Sequence, residues 1–253
     1  IPEYHFPEWS ASAMAALWRR AQALARLQEQ PAALNGIDSH RAAALLQPHP
    51  AAAWLPQDVA NDLFEAYGIA TVAPKLAASA EQAAALADQM GYPVVLKVAS
   101  PDIAHKSDVG GVLLNLQSAQ AVREGFIRVT QAASAALPNA RVEGVHVQRM
   151  LPAGQDVIAG VVRDPTFGPL VMFGSGGVEV EGLKDVAFAL APLSEPEAER
   201  LLERTWAGRK LRGFRNLPPA DRAAVIQALI RLAQLAVDHP NIAEIEVNPL
   251  RVL

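Results

Sequence analysis

The sequence predicts an α+β (α/β) chain of two lobes with a cleft between them. Three observations lead there. Up to about Pro138 short apolar strands alternate with amphipathic helices. After it, β-branched or alternating runs follow one another with only turn residues between them, the mark of antiparallel neighbours. Two further amphipathic helices, one after Ser194 and one after Pro218-Pro219, then supply a cover for that second set of strands.

The chain has 253 residues, 51% of them hydrophobic, enough to bury the core of one large or two modest domains. No apolar run reaches the roughly 18 residues of a spanning helix, and the N-terminus lacks the basic and apolar regions of a signal peptide, so a cytoplasmic protein without a membrane role is expected. Zero cysteines exclude disulfides, thiolate metal sites and cysteine nucleophiles. A net charge of -4 gives no reason to expect nucleic acid. The chain opens on Ile1 without a methionine and closes on a strand-like Glu-Val-Asn-Pro-Leu-Arg-Val-Leu. It reads as a piece of something longer.

Met14, Leu17, Trp18, Ala21, Leu24 and Ala25 recur at helical spacing, which predicts an amphipathic helix from Ser10 to Gln28. Residues 29–54, with Pro31, Asn35-Gly36, Pro48 and Pro50, read as a linker with one small helix. A boundary is placed near Pro56; an N-terminal cap packed on the domain is the alternative. A helix from Gln57 ends before Gly68, a strand follows over Ile69 to Pro74, and Ser79 with Gln82 forms a capping box for a helix that Gly91 stops. A strand over Tyr92–Ala99, a turn, a second strand and a helix from Ala119 to Ala136 complete the first lobe. Strands are predicted over Val142–Met150, Asp156–Asp164, Pro169–Gly174 and Asp185–Leu190. Ser194 caps a helix through Leu201, Leu202 and Trp206, another long helix follows, and Glu244–Leu253 is the last strand.

Chemistry concentrates in 92–116. Alternation puts Lys97 on the strand face opposite Leu96 and Val98, where a lysine needs an anion or an edge facing water. The turn after it holds His105, Lys106 and Asp108 before Gly110-Gly111. Glycines let a backbone approach phosphate, lysine adds charge, and histidine serves as acid, base or phosphoryl acceptor; a polar surface turn is the other reading. Gly174-Ser175-Gly176-Gly177 is a second candidate phosphate cradle, but neither a dinucleotide fingerprint nor a Walker A loop. Glu244, Glu246 and Asn248 alternate along the last strand, so they share a face with oxygen ligands of the kind magnesium takes, or simply face solvent. Arg163-Asp164 and Lys184-Asp185 are either charge-pair turns or reach into the cleft.

Taken in order, Tyr-Pro-Val-Val-Leu-Lys at 92–97, Ser-Pro-Asp-Ile-Ala-His-Lys-Ser-Asp-Val at 100–109, Val-Arg-Asp-Pro-Thr-Phe-Gly-Pro at 162–169, Gly-Gly-Val-Glu-Val at 176–180, Leu-Lys-Asp-Val-Ala-Phe at 183–188 and Glu-Val-Asn-Pro-Leu at 246–250 resemble the ATP-grasp domain of NDP-forming acyl-CoA synthetases. The same domain occurs fused to GNAT-type protein lysine acetyltransferases. The resemblance covers about Leu55 to the end, and residues 1–55 look like the helical tail of the preceding CoA-ligase region and its linker.

The resemblance implies an ATP-grasp fold of two α+β subdomains, about 56–139 and 140–253, that clamp a nucleotide. It implies that Lys97 contacts the phosphates, that Val147, Gln148, Arg149 and Met150 form the hinge holding adenine, and that Asn248 with Glu246 holds Mg2+. His105 takes the place of the phosphoryl carrier, with Lys106 and the Gly110 and Gly111 amides steadying the transferred group and Asp108 orienting His105 or ending the turn. The implied reaction joins an acid and CoA with ATP to give acyl-CoA, ADP and phosphate, by a phosphohistidine relay. The CoA site, and a partner histidine, belong to the CoA-ligase domain of the same polypeptide. A non-catalytic, ligand-sensing role beside a GNAT domain is the alternative, and a homo-oligomer is left open. Asp156 departs from the glutamate common after the hinge, where it would meet ribose or phosphate. A further acidic magnesium ligand of the family lies in a strand beyond Leu253, so residues 1–253 alone are expected to be inactive.

Overall fold

The computed structural model describes the chain apart from residues 1, 2, 4, 5, 27, 28, 50–53, 104, 105 and 177–184. Helix α1 (Pro7–Arg26) forms where the periodicity predicts, yet buries none of its residues. Helix α2 (Ser39–Leu46) is the small helix expected in the linker; Asp38 caps it by accepting from the Arg41 amide, and Ala42 and Leu46 are buried. Helix α3 (Gln57–Ala66) ends ahead of Gly68, whose φ is +69°.

The strand expected over 69–74 is displaced to β1 (Lys75–Ala77). Pro74 has no N–H to give to a ladder, so pairing starts only beyond it. Helix α4 (Ala80–Met90) is capped by Ser79, which accepts from the Gln82 amide at 3.2 Å. The Gln82 side chain reaches back to the Ala78 amide rather than to Ser79 itself. Strands β2 (Val94–Ala99) and β3 (Val112–Leu116), helix α5 (Ala119–Ala136) and strand β4 (Gly144–Arg149) follow.

Residues Ala51–Glu65 and Ala70–Ala153 form one compact unit. Its sheet has the order β1-β4-β2-β3 with antiparallel neighbours throughout. Strand β4 thus lies between β1 and β2, although the change of texture after Pro138 had placed 142–150 with the second set of strands. Val145 and Val147 show why: they complete the buried face formed by Val94, Leu96 and Val98, against Ala83, Ala84 and Ala87 of α4 and Val122, Val129 and Ala133 of α5. The helices cover that face, and the opposite one carries Lys97, His146 and Gln148.

The other unit comprises Ile1–Pro50, Ala66–Ile69 and Gly154–Leu253. Strands β5 (Gln155–Asp164), β6 (Gly168–Ser175) and β7 (Val186–Leu190) precede α6 (Glu195–Glu203), α7 (Trp206–Lys210), α8 (Arg222–Asp238) and β8 (Glu244–Val252). The single helix expected from Ser194 through Trp206 is interrupted. Thr205 turns extended and caps α7 afresh by accepting from the Gly208 amide. The sheet order is β7-β6-β5-β8, again antiparallel. Ala159, Val161, Val171, Phe173, Ala187 and Ile245 form its buried face, with Leu201 and Leu202 of α6 and Leu229, Leu232 and Ala233 of α8 among the other buried residues of the unit.

The segment expected to be a linker is fastened to this unit. Arg200 grips Glu29 with two hydrogen bonds of 3.0 and 2.6 Å, Ser194 donates to the same carboxylate, and Arg231 donates to the Asn35 and Tyr67 carbonyls. The Arg200 guanidinium foremost holds the Glu29 carboxyl below its ordinary value, against the effect of burial. No helix among the described residues is long and apolar enough to cross a membrane.

Candidate functional site

Lys97 is the one residue of β2 that is not buried. Its Nζ donates to Gln148 Oε1 at 2.9 Å, and Gln148 Nε2 donates to the Val72 carbonyl at 2.5 Å. Lys97 stands directly opposite His146 in the β2–β4 ladder, so the two side chains leave the sheet on the same side. Burial first, then the ammonium of Lys106, holds Lys97 below the ordinary lysine value. Burial, Lys106 and Lys97, in that order, hold His146 below the ordinary histidine value, with Glu143 pulling the other way. Among the described residues no carboxylate pairs with Lys97 or Lys106. Cations drawn together without a counter-ion are suited to an incoming anion.

The turn that carries Lys106 is built tightly onto β2. Ile103 is 3% exposed and anchors it, and Asp102 accepts from the Arg141 amide at 2.7 Å. The Gly111 amide donates to the Lys106 carbonyl at 2.8 Å, the Gly110 amide to the Ser107 carbonyl at 3.1 Å, and the Val98 amide to the Gly111 carbonyl at 2.7 Å. A Cβ on Gly111 would stand 2.6 Å from Val98 and 2.7 Å from the Lys106 carbonyl; Gly110 has φ +66°. Both glycine amides are thus engaged in closing the turn. Asp108 is exposed. His105 lies outside the described residues.

Of the four residues expected to hold adenine, Val147 is wholly buried in the helix-covered face and flanked by β1 and β2. Its role is packing. Gln148 positions Lys97. The Met150 amide donates to the Pro93 carbonyl at 3.0 Å, extending the ladder. Pairing with β1 stops at Val147, so Gln148 and Arg149 present a backbone edge with no strand beside it among the described residues.

In the other unit, register places Glu246 opposite Gly160 and Glu244 opposite Val162, while Ile245 faces the helices. Glu244, Glu246 and Asn248 are exposed, as their alternation predicts. On the same face lie Leu170 and Met172 of β6 and the exposed Val186, Phe188 and Leu190 of β7. A row of oxygen donors thus borders an apolar surface. Asp156 is committed elsewhere: Arg251, directly opposite, donates to both its oxygens at 2.7 and 2.8 Å. The pair ties β5 to β8 and engages both carboxylate oxygens of Asp156.

The remaining candidates are structural. Ser175 is 1% exposed and donates to Asp185 at 2.9 Å, and a Cβ on Gly174 would stand 2.1 Å from the Asp185 carbonyl. That glycine run serves strand packing; Gly177 lies outside the described residues, as does Lys184. Asp185 accepts from the Trp206 and Ala207 amides at 2.7 and 2.8 Å, capping α7. Arg163 donates to the Ala236, His239 and Ile242 carbonyls at the end of α8, and Asp164 closes the β5–β6 turn through the Thr166 and Phe167 amides. Cavities of about 290 Å³ beside α8 and about 270 Å³ beside α2 include neither Lys97 nor Glu246 in their walls.

Sequence reasoning missed His146 and the clamp role of Gln148. Both signals were present, as polar residues alternating with Val145 and Val147, but only the β4–β2 pairing shows that they face Lys97.

A sequence profile of the ATP-grasp domain matches residues 48–253. The chain belongs to this family. The ATP-grasp chain is 45% identical over 190 residues to the ADP-forming acetate–CoA ligase I of Archaeoglobus fulgidus, covering 75% of this chain and 28% of the relative. To the β subunit of the ADP-forming acetate–CoA ligase I of Pyrococcus furiosus it is 40% identical over 196 residues, covering 78% of this chain and 84% of the subunit. The ATP-grasp chain therefore spans under a third of the first of these relatives and most of the β subunit. Among solved structures it resembles the dinucleotide forming acetyl-coenzyme A synthetase 1 of Ca. Korarchaeum cryptofilum, with a TM-score of 0.71 and 37% identity, covering 85% of this chain and 93% of that one. That structure holds coenzyme A and Mg-AMPPCP, with a phosphohistidine segment pointing towards the nucleotide-binding site.

Proposed function

We propose that this chain is the nucleotide-binding, phosphoryl-transferring part of an NDP-forming acyl-CoA synthetase, an acid–thiol ligase. The observation that carries the reading is the group of cations on one sheet face: Lys97 clamped by Gln148, with Lys106 beside it and, among the described residues, no carboxylate paired to either. Lys97 and Lys106 hold the phosphates. His105 attacks the γ-phosphorus through a ring nitrogen, the bond to the bridging oxygen breaks, and ADP leaves with the electron pair as the imidazole sheds its proton. The phosphoryl group then passes from His105 to a histidine of a CoA-ligase domain, where acid and CoA are joined. The relatives support this direction of reading and lend nothing to the alternative of a ligand-sensing module beside a GNAT domain. The work is done in the cytoplasm.

Glu246 and Asn248 fit Mg2+, being exposed oxygen donors two residues apart on β8; two protein oxygens suffice for an ion that keeps waters and phosphate oxygens. Bound there, Mg2+ would supply positive charge to phosphate oxygens. Titration calorimetry with ADP tests the assignment. Mg2+ should tighten binding, and Glu246→Gln should remove about tenfold of that gain while leaving metal-free binding unchanged. Equal loss with and without Mg2+ would move Glu246 out of the metal site, and no nucleotide binding by the wild type would end the reading.

A further inference from the structure

The phosphate-facing side of the β1-β4-β2-β3 sheet holds one titratable group with no assigned task. His146 stands opposite Lys97 on β2 and opposite Leu76 on β1, so its imidazole shares the face of Lys97 and Gln148, at the ~5 Å spacing of cross-strand neighbours. It is half-buried, and no hydrogen bond to its ring occurs among the described residues. The charged groups around it are Lys97 on β2, Lys106 in the turn after β2, and Glu143 just ahead of its own strand. Lys75 of β1 pairs with Val147 and therefore belongs to the other face, where α4 and α5 lie. Two ammonium groups against one carboxylate make a charged imidazole unfavourable in the free protein. A polyphosphate arriving between the same cations reverses the balance.

We propose that His146 is a third phosphate-binding residue of this site, taking up a proton as the polyphosphate arrives, so that nucleotide affinity falls as pH rises. The proposal rests on the nucleotide-binding reading above and adds a residue and a proton to it. An ordinary lysine at this position would give fixed charge and no pH dependence. A histidine held neutral makes the site less repulsive when empty and cationic only when filled. Burial beside two cations keeps the free imidazole below its usual value, and phosphate oxygens within reach raise it, so affinity is greatest below the free value and declines through the bound one.

The test is ADP binding with Mg2+, followed by calorimetry at about pH 6 and about pH 8 in two buffers of different ionisation heat, for the wild type, His146→Gln and His146→Lys. The nucleotide's own titration is common to all three proteins and cancels in the comparison. The wild type should take up protons on binding and lose about tenfold in affinity for each unit by which binding raises the imidazole's pKa. His146→Gln should bind more weakly at the lower pH with a flatter pH dependence and less uptake, and His146→Lys should bind at both pH values with the same flatter slope. A glutamine variant that keeps the wild-type slope and uptake overturns the role of His146 alone. Absence of ADP binding by the wild type overturns the nucleotide reading and this proposal with it.

Discussion

The Lys97 ammonium lies 2.9 Å from the Oε1 of Gln148, whose own amide donates to the Val72 carbonyl at 2.5 Å. The lysine is thus aimed before any ligand arrives, by a side chain anchored to a backbone carbonyl. Preorganisation of this kind shifts the cost of ordering a long side chain from binding to folding.

That arrangement predicts opposite effects on stability and binding for Lys97→Met. The thioether chain keeps the volume but removes a half-buried cation repelled by Lys106, so the ligand-free protein should melt higher. Nucleotide affinity should fall by about ten- to a hundredfold, the loss of a charged hydrogen bond. The folded-state value of Lys97 is lowered from 10.5, so its destabilising effect is complete below the lowered value and fades as pH rises towards the unfolded one. Melting of wild type and variant should accordingly converge in the alkaline range. A variant that melts lower at neutral pH would contradict this.

Asp156 and Arg251 join neighbouring strands through two hydrogen bonds, with about a third of each side chain exposed. Solvent screening limits such a pair, so Asp156→Asn should cost about 1 kcal/mol or less in urea unfolding. ADP affinity should not change. A weakened affinity would restore Asp156 to the nucleotide site.

Asp185 offers a pH signature in the other direction. Burial pushes its carboxyl up, but the Trp206 and Ala207 amides, Ser175 and Arg209 outweigh this and hold it below 3.8. The stabilisation is complete above that ordinary value and is lost as pH falls through the lowered one. Asp185→Ala should cost about 2–3 kcal/mol, a lost cap plus an orphaned buried Ser175 hydroxyl. Its stability should also depend less on pH in the acid range, as followed by urea unfolding at stepped pH. An unchanged acid limb would count against the cap.

The local signals were legible where a residue's own neighbours decide its state. Ser79 and Ser194 cap the helices they precede, and β-strand alternation set Lys97 and Glu246 on the correct faces. What stayed hidden depends on pairing across long separations. The membership of β4 in the first sheet requires knowing that Val145 and Val147 meet α4 and α5. Arg163 reads as a charge-pair turn until the end of α8 arrives at its guanidinium. Gly110 and Gly111 carry the composition of a phosphate loop, but only the folded turn shows their amides already taken. His146 fell to the same blindness, since a histidine between two valines says nothing about the lysine opposite.

The proposed relay places the phosphoryl group on His105, and the most direct measurement is transfer from γ-phosphate-labelled ATP in the whole enzyme that contains this chain. Acid-labile phosphate is expected on the peptide bearing His105, and a His105→Ala variant should still bind nucleotide but lose both the label and acyl-CoA synthesis. Undiminished turnover in that variant, or a label on another residue, would contradict it.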